Sequence, residues 1–192
     1  MNAKRGLIAL APNIGPLGHD GQPIWDPSDT IFAGVETPET VNPSLWRQAR
    51  LNSFRGLFEV EDEIFQIRGF DLANMTLIKS ENGWIIVDPL TTIESTRAAI
   101  EFAELHLGAI IPTAIIISHS HIDHFGGVQN LIARSINDDL PIIAPSGFLF
   151  EATSENILAG PAMARRASYM MGFELDTSVF GHVDSGLGKR II

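Results

Sequence analysis

The sequence predicts an α/β fold in which helices cover a sheet that changes from antiparallel to parallel pairing along the chain. Between Leu57 and Val87, four short runs rich in β-branched and aromatic residues are separated by turn-forming residues, the pattern of neighbouring antiparallel strands. From Ile93 onward, apolar residues at helical spacing alternate with short apolar runs, giving a β-α-β-α-β succession that ends near Ile142-Ile143-Ala144. The 192 residues, 45% of them hydrophobic, are enough for a sizeable core.

Residues 1–55 read as a loop-rich extension. Pro12, Gly15, Pro16, Gly18, Gly21, Pro23 and Pro27 punctuate it, and Trp25 and Phe32 are expected to anchor it to the core. Asn42-Pro43-Ser44 predicts a helix start near Leu45, with the helix running through Trp46 and Leu51. Residues 56–192 form the second unit. Its strands are expected at Leu57 to Val60, Ile64 to Arg68, Met75 to Lys79 and Trp84 to Val87, with Asn82-Gly83 as a hairpin turn. A helix is expected over Ile93 to Leu107, closed by Gly108. Ala114-Ile115-Ile116-Ile117-Ser118 reads as a buried parallel strand. Val128, Leu131 and Ile132 recur at helical spacing, and Phe148 to Ala159 looks helical.

The chemistry concentrates where that parallel strand ends. His119-Ser-His-Ile-Asp-His124 places three imidazoles and a carboxylate in six residues, followed by Phe125-Gly126-Gly127. Neutral imidazole nitrogen and carboxylate oxygen are the donors that borderline cations such as zinc prefer. In an extended segment His119 and His121 project to one side, so both can reach one ion. Asp123 and His124 then fall on the turn beyond, within reach of a second ion. Without a cation, so many polar groups side by side are difficult to satisfy. Gly126 and Gly127 permit close backbone approach behind the loop. In open α/β structures the carboxyl ends of strands are where ligands bind.

Other polar residues carry weaker signals. Asp88 ends a strand at the same sheet edge; it can orient a histidine of the loop or cap the turn through Pro89, and the sequence leaves both open. Arg68 and Asn74 could bind an anion, but an exposed arginine and a turn asparagine are commoner. Tyr169, Met170 and Met171 could line an apolar pocket, with core packing the favoured alternative. His19 and His106 have no donors nearby in sequence and read as structural or exposed. Downstream of the loop, Glu151, Glu155, Glu174 and Asp176 read as exposed acids and His182 as a loop histidine.

The net charge of −10, with no compensating basic cluster, argues against a nucleic-acid partner. The absence of cysteine excludes disulfides, thiolate ligands and a cysteine nucleophile. Lys4-Arg5 before an apolar stretch faintly resembles a signal start, but Pro12 interrupts it, and no run reaches membrane-spanning length.

The loop His119 to His124 at the end of an apolar strand resembles the HxHxDH signature of the metallo-β-lactamase superfamily. Flavodiiron oxidoreductases of that fold usually carry an acidic residue at the middle position, so His121 favours hydrolysis. Thr40-Val41-Asn42-Pro43-Ser44-Leu45-Trp46, Gly69-Phe70-Asp71-Leu72-Ala73-Asn74-Met75, Gly83-Trp84-Ile85-Ile86-Val87-Asp88-Pro89 and Ser154-Glu155-Asn156-Ile157-Leu158-Ala159-Gly160 are similar to alkyl sulfatases, including bacterial enzymes acting on dodecyl sulfate. The likeness continues through Arg165-Arg166-Ala167 and Gly186-Leu187-Gly188-Lys189. It implies an αββα sandwich present as its N-terminal portion, with residues 56–192 an incomplete metallo-β-lactamase-like domain in a fragment or truncated gene product. It further implies two zinc ions, the first held by His119 and His121 and the second by Asp123 and His124. Asp123 would also orient the nucleophilic water. Hydrolysis of an alkyl sulfate to alcohol and sulfate, homodimerisation of the full-length protein and a periplasmic location of bacterial members are implied in the same way. The alternatives are another hydrolase of this fold, acting on a lactam, thioester, lactone or phosphodiester, and an inactive metal-binding fragment.

Overall fold

The computed structural model describes residues 2–13, 15–24, 36–136 and 139–185. Trp25 and Phe32, expected as anchors, and the Gly186 to Lys189 segment lie outside them.

The elements follow from local chemistry. Strand β1 is Leu7–Leu10. Helix α1, Pro43–Asn52, starts where the Asn42 side chain accepts from Ser44 N at 2.9 Å, with proline in the first turn, where its missing N–H costs nothing. Strands β2 (Gly56–Glu61), β3 (Ile64–Arg68), β4 (Met75–Ser80) and β5 (Gly83–Val87) form an antiparallel meander with β1 at its edge. Helix α2, Ile93–Leu107, is capped by Thr92, whose hydroxyl oxygen accepts from Ser95 N, and stops at Gly108 in positive φ. It crosses over to β6, Pro112–Ile116, parallel to β5; α3, Val128–Arg134, then leads to the short parallel β7, Ile142–Ile143. The seven strands lie in chain order in one sheet. Beyond it come α4, Phe148–Thr153, a π-helical turn at Ser154–Leu158, and α5, Gly160–Met171.

Strand alternation decides where the core forms. Met75, Leu77, Trp84, Ile86 and Ile115 point to one face and are buried together with Ala99, Ile100 and Ala103 of α2 and Leu131 of α3. Their partners in the alternation, Thr76, Ile78, Ile85, Val87 and Ile116, are only half-buried. The fold is thus mixed α/β, a sheet with a helical layer on one face. Among the described residues it is the only sheet.

Four expectations need correction. The β4–β5 turn is Glu81-Asn82, since Gly83 already pairs with Ser80. Gly83 is needed within the strand: at φ +141 its missing Cβ would lie 2.6 Å from Ile111 O. Strand β6 begins and ends two residues earlier than expected, so the functional loop starts at Ile117, whose N–H still donates to Ile143 O at 2.8 Å. The helical stretch after Phe148 does not end at Ala159 but resumes as α5, which buries none of its residues. Tyr169 and Met170 are 94% and 69% exposed, so neither packs in the core. Residue type alone does not tell which face of a helix is covered.

Candidate functional site

Parallel pairing brings the ends of β5 and β6 level, Val87 beside Ile116. The chain leaving β5 turns sharply, with Asp88 and Leu90 both at φ +58, a conformation that L-residues rarely adopt. Several bonds hold it there. Asp88 N donates to Ile116 O at 3.0 Å and Gly127 N to Leu90 O at 3.0 Å, so residues 88–92 form the floor on which the loop after β6 rests. The contact is very close: a Cβ on Gly126 would come within 2.0 Å of Thr91 O, and one on Gly127 within 2.3 Å of Pro89 O. The close approach expected of this glycine pair is thus present.

Asp71 secures the floor from the other side. Its carboxylate accepts from Thr91 N at 2.9 Å, Thr91 Oγ1 at 2.7 Å and Leu72 N at 2.6 Å while 5% exposed. Burial pushes its carboxyl up from the ordinary value of 3.8, against the downward pull of these hydrogen bonds. The folded state therefore keeps this proton to higher pH than the unfolded chain does. The resulting stabilisation is complete below 3.8 and is lost as pH rises through the raised value. Urea denaturation across that range should show wild type losing stability relative to Asp71→Asn as pH rises. Parallel curves for the two proteins would refute the buried-acid account.

The four residues of the motif stand together at the end of β6. The His119 ring lies 4.0 Å from that of His124 and 4.7 Å from that of His121, centroid to centroid. His119 Nε2 and His121 Nδ1 are 3.1 Å apart, and His124 Nε2 and Asp123 Oδ2 are 3.2 Å apart. Asp88 organises this arrangement. Its Oδ1 accepts from Ser118 N at 2.8 Å, while Oδ2 accepts from Ser118 Oγ at 2.7 Å and faces His124 Nδ1 at 2.8 Å. Of the two roles left open for Asp88, its side chain performs the histidine-orienting one.

The partners of His119 and His124 favour one tautomer of each ring. A carboxylate only accepts, so in the neutral ring the one proton of His124 goes to the shorter contact, Nδ1 to Asp88 at 2.8 Å, and the Nε2 lone pair is left facing Asp123. Ser118 has one hydroxyl proton, given to Asp88, so its oxygen accepts from His119 Nδ1 at 2.8 Å. His119 Nε2 therefore offers a lone pair to His121. The His119–His121 pair closes as a hydrogen bond when His121 carries its proton on Nδ1 and as two facing lone pairs when it does not, and the second arrangement is one that a cation relieves.

Glu155, read from sequence as an exposed acid, is half-buried and reaches the loop. Its Oε2 accepts from Ser120 Oγ at 2.7 Å and lies 3.7 Å from His121 Nε2. Asn156 beside it donates to Ser120 O at 3.0 Å. Glu151, Glu174 and Asp176 are exposed, as expected. His182 is in a loop but buried, with Nδ1 2.7 Å from Met171 O and its ring edge-on to Phe173. Arg68 stacks over Phe58, 4.2 Å from ring centroid to guanidinium carbon, and donates to Gln66 Oε1 at 2.6 Å; burial lowers its pKa. Asn74 is exposed. His19 meets Glu94 at 3.3 Å while 95% exposed, and His106 packs edge-on against Phe102.

Among the described residues, no group of three or more His, Cys, Asp or Glu side chains closes around one point as a metal site. The donors are arranged in pairs. No helix among the described residues is long and apolar enough to cross a membrane.

Comparison with known proteins gives a consistent picture. The family profile described as the metallo-beta-lactamase superfamily matches residues 68–155. The chain is 46% identical over 191 residues to an (R)-specific secondary-alkylsulfatase of Pseudomonas sp, covering 97% of this chain and 28% of that protein. It is 41% identical to an alkyl/aryl-sulfatase, BDS1, of Saccharomyces cerevisiae, covering 98% of this chain and 30% of the other. Among solved structures, the stereoselective inverting sec-alkylsulfatase Pisa1 from Pseudomonas sp. superposes with a TM-score of 0.90 at 45% identity, over 98% of this chain and 30% of that one. The chain therefore spans less than a third of the length of the relatives it matches.

Proposed function

We propose that the chain is the corresponding part of an alkylsulfatase of the metallo-beta-lactamase superfamily, and that it serves metal-dependent hydrolysis of alkyl sulfate esters to an alcohol and inorganic sulfate. The observation that carries this reading is the pairing of lone-pair donors at the end of β6, in a chain whose relatives are named for sulfate-ester cleavage.

The donor set fits zinc. Three imidazoles and a carboxylate standing together are the nitrogen and oxygen donors that zinc takes. We assign His119 and His121 to the first ion, and Asp123 and His124 to the second. Ions held by these residues would supply Lewis acidity, water activation at neutral pH and local positive charge for an anionic ester approaching a chain of net charge −10. Asp88 and Ser118 keep the Nε2 lone pairs of His124 and His119 directed at their partners. Asp123 has the further role of accepting a hydrogen bond from the attacking water, which fixes its approach to the ester.

The purified 192-residue chain supplied with zinc is the material for the test. Equal amounts of alcohol and sulfate should appear from dodecyl sulfate, with little turnover of a chromogenic lactam or a thioester. Turnover of lactam or thioester without sulfate release would overturn the substrate class. Less than one bound zinc together with no turnover of any ester would leave the chain as a binding or folding module. Hydrolysis in oxygen-18 water assigns the broken bond: label in the alcohol means attack at carbon, label in the sulfate attack at sulfur.

A further inference from the structure

The metal-site reading leaves the tautomer of His121 unexplained, because Asp88 and Ser118 act on the other two histidines. The group facing the far side of the His121 ring comes from 34 residues downstream. A π-helical turn, closed by Ala159 N donating to Ser154 O at 3.0 Å, carries Glu155 and Asn156. Consecutive residues of an α-helix diverge by about 100° around the axis, whereas a π turn is an insertion frequently found at functional sites. Here both neighbours reach the same residue: Ser120 gives its hydroxyl proton to Glu155 Oε2 at 2.7 Å and receives the Asn156 amide on its carbonyl at 3.0 Å. Asn156 is itself held, donating to Ala152 O at 2.7 Å. Ser120 lies between His119 and His121, so the π turn grips the loop at its centre.

We propose that Glu155 is a positioning residue that selects the Nε2–H tautomer of His121 and so presents the Nδ1 lone pair toward His119 Nε2. The 3.7 Å between Glu155 Oε2 and His121 Nε2 is too long for a direct hydrogen bond, so the selection is electrostatic. With the proton on Nε2, an N–H dipole points at the carboxylate. With the proton on Nδ1, a lone pair faces it instead, the repulsive arrangement. Left alone, His121 would favour the second form, since an Nδ1 proton could bond to His119 Nε2 at 3.1 Å and leave no donor for a cation. Glu155 thus acts on His121 through its charge, where Asp88 acts on His124 through a hydrogen bond. The role toward a metal rests on the zinc assignment of His119 and His121; the tautomer itself does not.

The test uses chelator-treated protein at a pH about two units above the ordinary histidine value of ~6.5, read by two-bond proton–nitrogen correlation of the imidazole rings. His121 should be protonated on Nε2 in wild type and shift toward Nδ1–H in Glu155→Gln, a near-isosteric change that preserves an acceptor for Ser120. Ser120→Ala, which frees the carboxylate while leaving it charged, should give an intermediate ratio. In chelator competition, zinc affinity should fall about tenfold or more in Glu155→Gln. An Nδ1–H form in wild type, or the same tautomer in wild type and Glu155→Gln, overturns the proposal. The expected tautomer switch in a protein that binds no zinc would uphold the role of Glu155 and sink the metal assignment, so the two readings fail separately.

Discussion

Gly127→Ala should destabilise the folded chain by about 3 kcal/mol or more and release the histidine loop from its floor. A Cβ at this position would lie 1.8 Å from Thr96 Oγ1, 2.3 Å from Pro89 O and 2.6 Å from Thr92 O. Two of these are backbone oxygens of the strained 88–92 segment, which cannot rotate away as a side-chain tip can. The third is the hydroxyl of fully buried Thr96, which is itself hydrogen-bonded to Pro89 O. Relief therefore requires either the loop after β6 or the residues 88–92 to move. Moving the loop lengthens the bond from Gly127 N to Leu90 O; moving the floor disturbs Asp88, and with it Ser118 and His124. The control is Gly160→Ala in the first turn of α5, where the nearest atom is 3.7 Å away and alanine favours the helix. Denaturant melts of the two variants should separate clearly, and nitrogen chemical shifts of His124 should move only in Gly127→Ala. Equal stability of the two variants would mean that the contact between loop and floor is looser than its geometry indicates.

This architecture was unevenly legible in the sequence. The antiparallel strands and the loop at the end of β6 were readable because each is a local pattern: alternation along β4 and β5, a β-branched run before the loop, three imidazoles and a carboxylate in six residues. The glycine pair also signalled close backbone approach, though not the atoms it meets. What remained hidden depends on contacts distant in sequence. Asp71 reaches Thr91 across 20 residues, and Glu155 reaches Ser120 across 35. Neither carboxylate belongs to a spacing rule, and a π turn has no sequence signature comparable with a helix cap. Asp88 was recognisable as a strand-ending acid, but its role depends on parallel register, which sets Val87 beside Ile116 and thus Asp88 within reach of Ser118. The outward apolar surface of α5 was missed for a related reason: its large side chains look like core residues until the packing of neighbouring elements is known.

On the proposed zinc assignment, Asp123→Asn should reduce sulfate release by ~10³-fold and lower the zinc content from two ions to one. The substitution retains the size of the side chain but removes its negative charge and turns half of the group into a donor. His124 Nε2, whose lone pair faces Asp123 Oδ2 at 3.2 Å, can then take a hydrogen bond from the new amide, which satisfies this pair without a cation. The other pair, His119 Nε2 and His121 Nδ1, does not involve Asp123 and should hold its ion with nearly unchanged affinity. His121→Ala provides the complementary result: it removes one donor of the first pair, leaves Asp123 and His124 facing each other, and should also leave one ion, now at the second position. The two variants are therefore alike in stoichiometry but different in which imidazole nitrogens shift on zinc addition, His119 in the first case and His124 in the second. Loss of both ions from either variant would show that the pairs act as one cooperative cluster. Full zinc content with a wild-type rate in Asp123→Asn would remove Asp123 from the site altogether, and with it the division of the loop into two donor pairs.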